Sequence, residues 1–227
     1  MEVIFEDNHI IAVNKACGEI VMIDQTGDAP LTDLVKQYIK EKYQKPGNVF
    51  LGLPHRIDRP TSGIVLMGRT SKVLTRLNKM FQRKDEIKKT YWAVVDAEPI
   101  PSEGRLEHYV VRSKQINKSY AHDHEVEGGK IALLFYSTIA RSDRYFLLEI
   151  DLQTGRHHQI RAQLKKIGLH IRGDLKYGYP RSNPDGGIHL HARQIELIHP
   201  VRREPIVITA PPPNEPVWNA FLKILDL

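Results

Sequence analysis

The pattern of apolar residues predicts an α+β fold with a mixed, largely antiparallel sheet and flanking helices. Three observations carry that prediction. Strand-like and helix-like stretches are interspersed without strict alternation, which argues against a wound βαβ architecture. Two apolar stretches, 131–139 and 145–152, flank the polar turn Arg141-Ser142-Asp143-Arg144, as antiparallel partners do. A chain of 227 residues with 41% hydrophobic content can also bury a sizeable core, as one domain or as two closely joined lobes.

Taken in order, Val3 to Phe5 and Ile10 to Val13 read as short strands around an Asp7-Asn8 turn. Leu31, Leu34, Val35, Tyr38, Ile39 and Tyr43 recur at three and four residues and predict an amphipathic helix. Ile64 to Met67 reads as a buried strand. Val73, Leu74, Leu77, Met80 and Phe81 repeat the helical spacing behind Ser71, the expected N-cap. Tyr91 to Val95 is strand-like, and Phe146, Leu148, Ile150 and Leu152 mark one buried strand face. A helix carrying Ile160, Leu164 and Ile167 is expected to open at Thr154-Gly155. Leu190 to Ile198 and Pro205 to Thr209 return to strand, and Pro211-Pro212-Pro213 precedes a last helix with Val217, Phe221, Leu222 and Leu225.

Lys and Arg total 33 against 27 Asp and Glu, for a net charge of +6, which favours a polyanionic partner. The single cysteine, Cys17, excludes an internal disulfide and any Cys-rich zinc site. No signal peptide is visible, and no run reaches the ~18 apolar residues of a membrane span. The expectation is a reducing, cytoplasmic setting with no membrane association.

Three islands stand out chemically. In His55-Arg56-Ile57-Asp58-Arg59-Pro60-Thr61-Ser62-Gly63 one carboxylate lies between two arginines in a loop that feeds an apolar strand. On these residues alone, Asp58 either closes a turn through side-chain to backbone hydrogen bonds or serves as an ionised carboxylate held by a cation from elsewhere. Thr154-Gly155-Arg156-His157-His158-Gln159-Ile160-Arg161 offers Arg161 as that cation, since a guanidinium grips a carboxylate bidentately and so fixes orientation as well as charge. The alternative for Arg161 is a solvated helix arginine. Lys89-Thr90-Tyr91-Trp92-Ala93-Val94-Val95 offers Tyr91, either a half-buried strand residue or a platform for a nucleobase. Arg56, Arg59, Lys89, Arg156 and His158 are candidate RNA-binding residues, and Lys114, Lys118 and Lys165 extend the same basic surface.

With Gly173-Asp174-Leu175-Lys176-Tyr177-Gly178 behind them in that order, these islands resemble the RluA-type pseudouridine synthases from the first strand to about Pro200. The resemblance implies that family's fold, with a central cleft, in one catalytic domain spanning 1–227. It makes Asp58 the catalytic aspartate, Arg161 its charge partner and Tyr91 the active-site tyrosine. It also makes Arg56 the residue that displaces the target nucleotide from its stack. Such enzymes detach uracil from C1′ of uridine, rotate it and rejoin it through C5. That isomerisation needs no metal, dinucleotide or other cofactor. Ile57 stands where Leu is commoner and Gln163 where many relatives carry His. The start of the chain at Val3-Ile4-Phe5 leaves no room for a separate N-terminal RNA-binding appendage. The expected partner is RNA, with ribosomal slightly preferred to transfer RNA, and the expected state is a monomer.

Two rivals are weighed against that expectation. His122-Asp123-His124, His157-His158 and His189-Leu190-His191 invite a metal, yet none falls on a recognised ligand spacing. The expectation instead is that His191 packs or hydrogen-bonds at a strand end, while His122 and His124 occupy a polar loop before Gly128-Gly129. A non-catalytic RNA-binding or RNA-folding module would need the basic surface and Tyr91, but not Asp58, Tyr91 and Arg161 together.

Overall fold

The computed structural model describes residues 1–23, 27–83 and 86–227. In chain order the elements are β1 (Glu2–Glu6), β2 (Ile10–Lys15), α1 (Leu31–Lys42), β3 (Ser62–Gly68), α2 (Ser71–Arg83), β4 (Ile87–Val95) and β5 (Glu103–Ser113). They continue with β6 (Lys118–His122), β7 (Lys130–Arg141), β8 (Phe146–Leu152), α3 (Gln159–Lys166), β9 (Leu190–Ile198), β10 (Pro205–Thr209) and α4 (Pro216–Ile224). The chain divides into two compact units, Met1–Lys88 with Ala192–Pro211, and Lys89–His191 with Pro212–Leu227. No described helix is long and apolar enough to cross a membrane.

In the first unit the strand order is β1-β2-β3-β9-β10. Asp7 makes the first turn by accepting from the backbone N–H groups of His9 and Ile10 at 2.7 and 2.8 Å, the behaviour expected of an Asx turn. β2 and β3 pair antiparallel from Ile10 opposite Gly68 to Lys15 opposite Gly63. Both faces of this pair are buried. Ile10, Ala12, Ile64 and Leu66 pack with Val73, Leu77 and Met80 of α2 and with Ile195, Leu197 and Ile208. Ile11, Val13, Val65 and Met67 on the opposite face have no exposed area at all. The cap of α2 is Thr70 rather than Ser71: Thr70 Oγ1 accepts from the Val73 N–H at 3.2 Å, and Ser71 is already the first helical residue.

In the second unit the order is β4-β8-β7-β5-β6, with every pair antiparallel. β5 and β6 were not anticipated from sequence. The inward positions of β5 are Leu106, His108 and Val110, so a histidine interrupts the apolar alternation that betrays a strand. His108 is accommodated because the fully buried Gln163 of α3 reaches its Nδ1 at 3.1 Å and also donates to a backbone carbonyl of β5 and one of β7. His122 ends β6 and is not a loop residue. On β8 the buried set differs from the expected one, since Leu147 is fully buried and Phe146 only half. Trp218 and Phe221 of α4 cover the face opposite to Leu148 there, packing on Trp92, Val94, Ala140 and Leu147. His191 is fully buried, its ring edge-on to Trp218.

α3 begins at Gln159, five residues after Thr154, because the intervening segment has a structure of its own. Gln159 Oε1 accepts from Thr154 Oγ1 at 2.7 Å and from the Arg156 N–H at 3.0 Å, and Thr154 Oγ1 in turn accepts from the Leu133 N–H at 2.8 Å. His158, the residue before the helix, takes the left-handed conformation with φ 51°. The loop thus turns sharply into a short helix whose first residues, Gln159 to Leu164, are all buried.

Candidate active site

The Asp58 loop belongs to the first unit, and its backbone is what fixes it. His55 Nε2 accepts from the Leu66 N–H at 2.9 Å, and its ring stacks on Phe81 with centroids 4.7 Å apart, anchoring one end on β3 and α2. Ile57 is buried at 8% exposure, the Thr61 N–H donates to the Asp58 carbonyl at 3.0 Å, and Thr61 and Ser62 turn inward. The middle of the loop is clamped by Lys15. Period-2 alternation puts Lys15 on the same face of β2 as Ile11 and Val13, and it is only 1% exposed. Its ammonium donates to the carbonyls of Ala16, Glu19 and Arg59 at 2.8, 2.9 and 3.0 Å, and the Gly18 N–H donates to the same Arg59 carbonyl. Burial pulls the Lys15 pKa down to about 8, while Cys17, Glu19 and Asp58 act in the opposite sense. Asp58 itself is half-buried, and Arg56 and Arg59 are exposed. Arg59 reaches Asp28 at 2.6 Å.

Gly63 closes the loop at a place where no other residue fits. Its φ is 110°, and a Cβ built there would lie 2.6 Å from the Ala192 backbone nitrogen.

Arg161 and Tyr91 lie in the second unit. Arg161 is 4% exposed and pairs bidentately with Asp174, Nε to Oδ2 at 2.7 Å and Nη2 to Oδ1 at 2.8 Å, with Asp174 only 1% exposed. The solvated-arginine reading is therefore excluded. The guanidinium also lies 4.9 Å from the centre of the Tyr177 ring. The Tyr177 hydroxyl accepts from the Ser119 N–H at 2.8 Å and forms a hydrogen bond with His158 Nδ1 at 3.0 Å. His157 stacks on His158 with centroids 3.8 Å apart and bonds Ser119 Oγ at 2.9 Å. Burial, followed by the charge of Arg161, pushes His158 down to about 2, so the ring stays neutral.

Of the candidate RNA-binding side chains, Arg56, Arg59 and Arg156 are exposed, and Lys89 is half-buried beside Gly155. Arg156 Nε donates to the Ile131 carbonyl at 2.9 Å. His158 is 9% exposed and works inside the Tyr177 network. Tyr91 sits opposite Ile150 in the β4–β8 ladder, 9% exposed. Sequence reasoning did not assign Lys15, Asp174 or Tyr177. The signals were present as a lysine on an apolar strand face and as the Gly173–Gly178 island, whose members carried no stated role.

A family model described as RNA pseudouridylate synthase matches residues 9–166, a stretch that holds Asp58, Tyr91 and Arg161. The chain belongs to the RNA pseudouridylate synthase family. Among curated relatives, the tRNA pseudouridine synthase C of Salmonella typhi is 31% identical over 92% of this chain and 85% of its own. An uncharacterized RNA pseudouridine synthase of Bacillus subtilis is 29% identical over 95% of this chain and 70% of its own. The ribosomal large subunit pseudouridine synthase C of Rickettsia bellii is 32% identical over 86% of this chain and 62% of its own. Human RNA Pseudouridylate Synthase Domain Containing 4 shares the fold with a TM-score of 0.79 at 22% identity, covering 99% of this chain and 93% of that one. This pseudouridine synthase accordingly isomerises uridine in RNA. The N1–C1′ bond breaks, a C5–C1′ bond forms, the C5 proton leaves and N1 gains a proton, with no net oxidation or reduction.

Proposed function

We propose that this pseudouridine synthase modifies specific uridines of structured RNA, with Asp58 as the catalytic carboxylate and Arg161 as its charge partner. The observation that carries the reading is the Asp58 loop. Its backbone is fixed by Lys15, Gly18 and the turn to Thr61, while the carboxylate is borne on a residue that stays half-buried between two exposed arginines. Asp58 can attack C1′, add to the pyrimidine ring or remove the 2′ proton, and each route requires an ionised, accessible carboxylate. Arg161 suits its role because Asp174 and Tyr177 hold its guanidinium in one orientation. Tyr91 stacks on the target base, and Arg56 displaces the nucleotide. Extruding it costs a few kcal/mol, roughly, which stacking and phosphate contacts offset. Arg59, Lys89 and Arg156 contact phosphates, and His158 contributes from beneath by supporting Tyr177.

The enzyme acts as a cytoplasmic monomer without metal or other cofactor. For the RNA, the chain spans 85% of the tRNA-named Salmonella relative and 62% of the rRNA-named Rickettsia one at nearly equal identity. That supports transfer RNA as the first substrate to assay, ahead of the ribosomal preference drawn from sequence. The test is an Asp58→Asn enzyme on unmodified transcripts of both kinds. The expected result is loss of isomerisation, at least about a thousandfold for a missing nucleophile or base, with RNA binding retained. Turnover that survives in Asp58→Asn would defeat the assignment, and binding without turnover in the wild type would favour an RNA-folding module.

A further inference from the structure

One run of side chains in the second unit takes no part in the chemistry assigned to Asp58 and Arg161. α3 carries Arg161 near its start and closes on Lys165 and Lys166, two cations that complement the negative end of the helix. The two lysines meet different partners. Lys166 Nζ lies 2.6 Å from the Asp123 carboxylate, an ordinary ion pair. Lys165 is exposed, and its Nζ meets an imidazole instead, His170 Nε2 at 2.9 Å. His170 is held on its other side by Asp96, the residue that follows β4. Asp96 Oδ2 faces His170 Nδ1 at 3.1 Å, and Asp96 Oδ1 accepts from the His170 backbone N–H at 2.9 Å. The Asp96 N–H donates back to the His170 carbonyl at 3.2 Å, so the ring is fixed through main chain and side chain together. A carboxylate only accepts, which places the ring proton on Nδ1 and leaves Nε2 as an acceptor toward the amine. The order is therefore amine, base, and a carboxylate that orients the base, the arrangement that activates a nucleophile.

The pair is also approachable. A Cβ at Gly178 would lie 3.1 Å from Lys165 Nζ and 3.1 Å from His170 Cδ2, so a glycine keeps the space beside both groups clear of a side chain. We propose that Lys165 acylates itself, taking the acyl group of an acyl phosphate or an acyl thioester with His170 as general base. The ammonium first loses one proton to water, as any lysine must before it attacks. Nζ then adds to the acyl carbonyl carbon and forms the C–N bond. The bond from that carbon to the phosphate oxygen or the thiol sulfur breaks and its electron pair leaves with the departing group. A second proton passes from the nitrogen to His170 Nε2, where Asp96 faces the imidazolium, and from there to solvent. Nothing is oxidised or reduced. The product is an uncharged N-acyl-lysine, so the last turn of α3 loses one of its two cations.

The experiment incubates the full chain with acetyl phosphate and, separately, with acetyl coenzyme A, and reads the initial rate of acetylation at each lysine by peptide mass spectrometry. Lys166, on the same turn but ion-paired, and Lys72 and Lys223, exposed on α2 and α4, serve as internal references. Lys165 is expected to react at least about tenfold faster than all three, a modest share of what a positioned base supplies. The donor that gives the acceleration identifies the acyl class. His170→Gln keeps a hydrogen-bonding side chain but no base, and is expected to bring Lys165 down to the rate of Lys72 and Lys223 without changing theirs. Asp96→Asn still accepts from the His170 N–H and is expected to give a smaller fall, because only the counter-charge of the imidazolium is lost. A Lys165 rate equal to the references with both donors overturns the proposal, and so does an acceleration that survives in His170→Gln. The comparison among lysines of the wild type needs no variant, so it decides even where a substituted chain fails to fold.

Discussion

The Asp58 loop and the Arg161 network solve the same problem, holding a charged group still, by opposite means. The loop is fixed through its main chain. One buried lysine grips three carbonyls, a glycine meets Ala192 backbone to backbone, and the side chains of Arg56 and Arg59 contribute little packing. The network is fixed through side chains: Arg161 pairs with Asp174, the Tyr177 hydroxyl joins the Ser119 N–H to His158, and Ser119 Oγ bonds His157, whose ring stacks on His158. A loop held by its carbonyls tolerates change at most of its own positions and fails at a remote one. A side-chain network tolerates no truncation of any member.

Three measurements sharpen that contrast. Asp174→Ala should be the most damaging, costing about 3–5 kcal/mol in urea unfolding because it strands a buried guanidinium. A loss below 1 kcal/mol would mean the network relaxes and is not the rigid half of the comparison. Lys15→Met should cost about 2–3 kcal/mol, since it leaves buried carbonyls without a donor. The Lys15→Met deficit should also depend on pH. Below pH 8 the amine is charged in both folded and unfolded chains. Between about 8 and 10.5 the unfolded chain keeps a proton that the folded one has released, so the wild type gains stability on the variant as pH rises. A deficit that is flat across that window would show that burial does not shift Lys15.

Within a single pH unit, the smallest effect belongs to His158. Above pH 6.5 it is neutral in both states; below it, only the unfolded chain takes up the proton, because the folded pKa is near 2. Wild-type stability should therefore fall by about 1.4 kcal/mol per pH unit on this account as acid is added. His158→Gln should remove that slope while leaving alkaline behaviour unchanged. The two regions would then titrate at opposite ends of the scale, the network in acid and the loop in alkali.

What could be read from sequence follows the same division. β9 and β10 match the expected Leu190 to Ile198 and Pro205 to Thr209 end to end, because alternation is local and Pro200 with Arg202-Arg203-Glu204 punctuates it. Asp58 does close a turn, but its backbone carbonyl accepts from the Thr61 N–H, where the turn reading called on the side chain. What stayed hidden was non-local. Asp174 lies 13 residues beyond Arg161, across the end of α3, and no periodicity announces the pair. Lys15 reads as a strand-end charge until the carbonyl of Arg59, 44 residues away, is brought to it. β5 was obscured by His108, whose place inside depends on Gln163 of another element.

The packing of α4 has a spectroscopic consequence. The chain has two tryptophans, Trp92 and Trp218, and both lie in the apolar cluster that α4 closes over β4 and β8. Intrinsic tryptophan emission therefore reports the second unit alone, and the unit bearing Asp58 is silent in it. Tryptophan fluorescence and far-ultraviolet circular dichroism followed together during unfolding are consequently two clocks on one chain. Where they coincide, the units melt as one cooperative body, and where they part, Lys15→Met should move the dichroism first and the emission last.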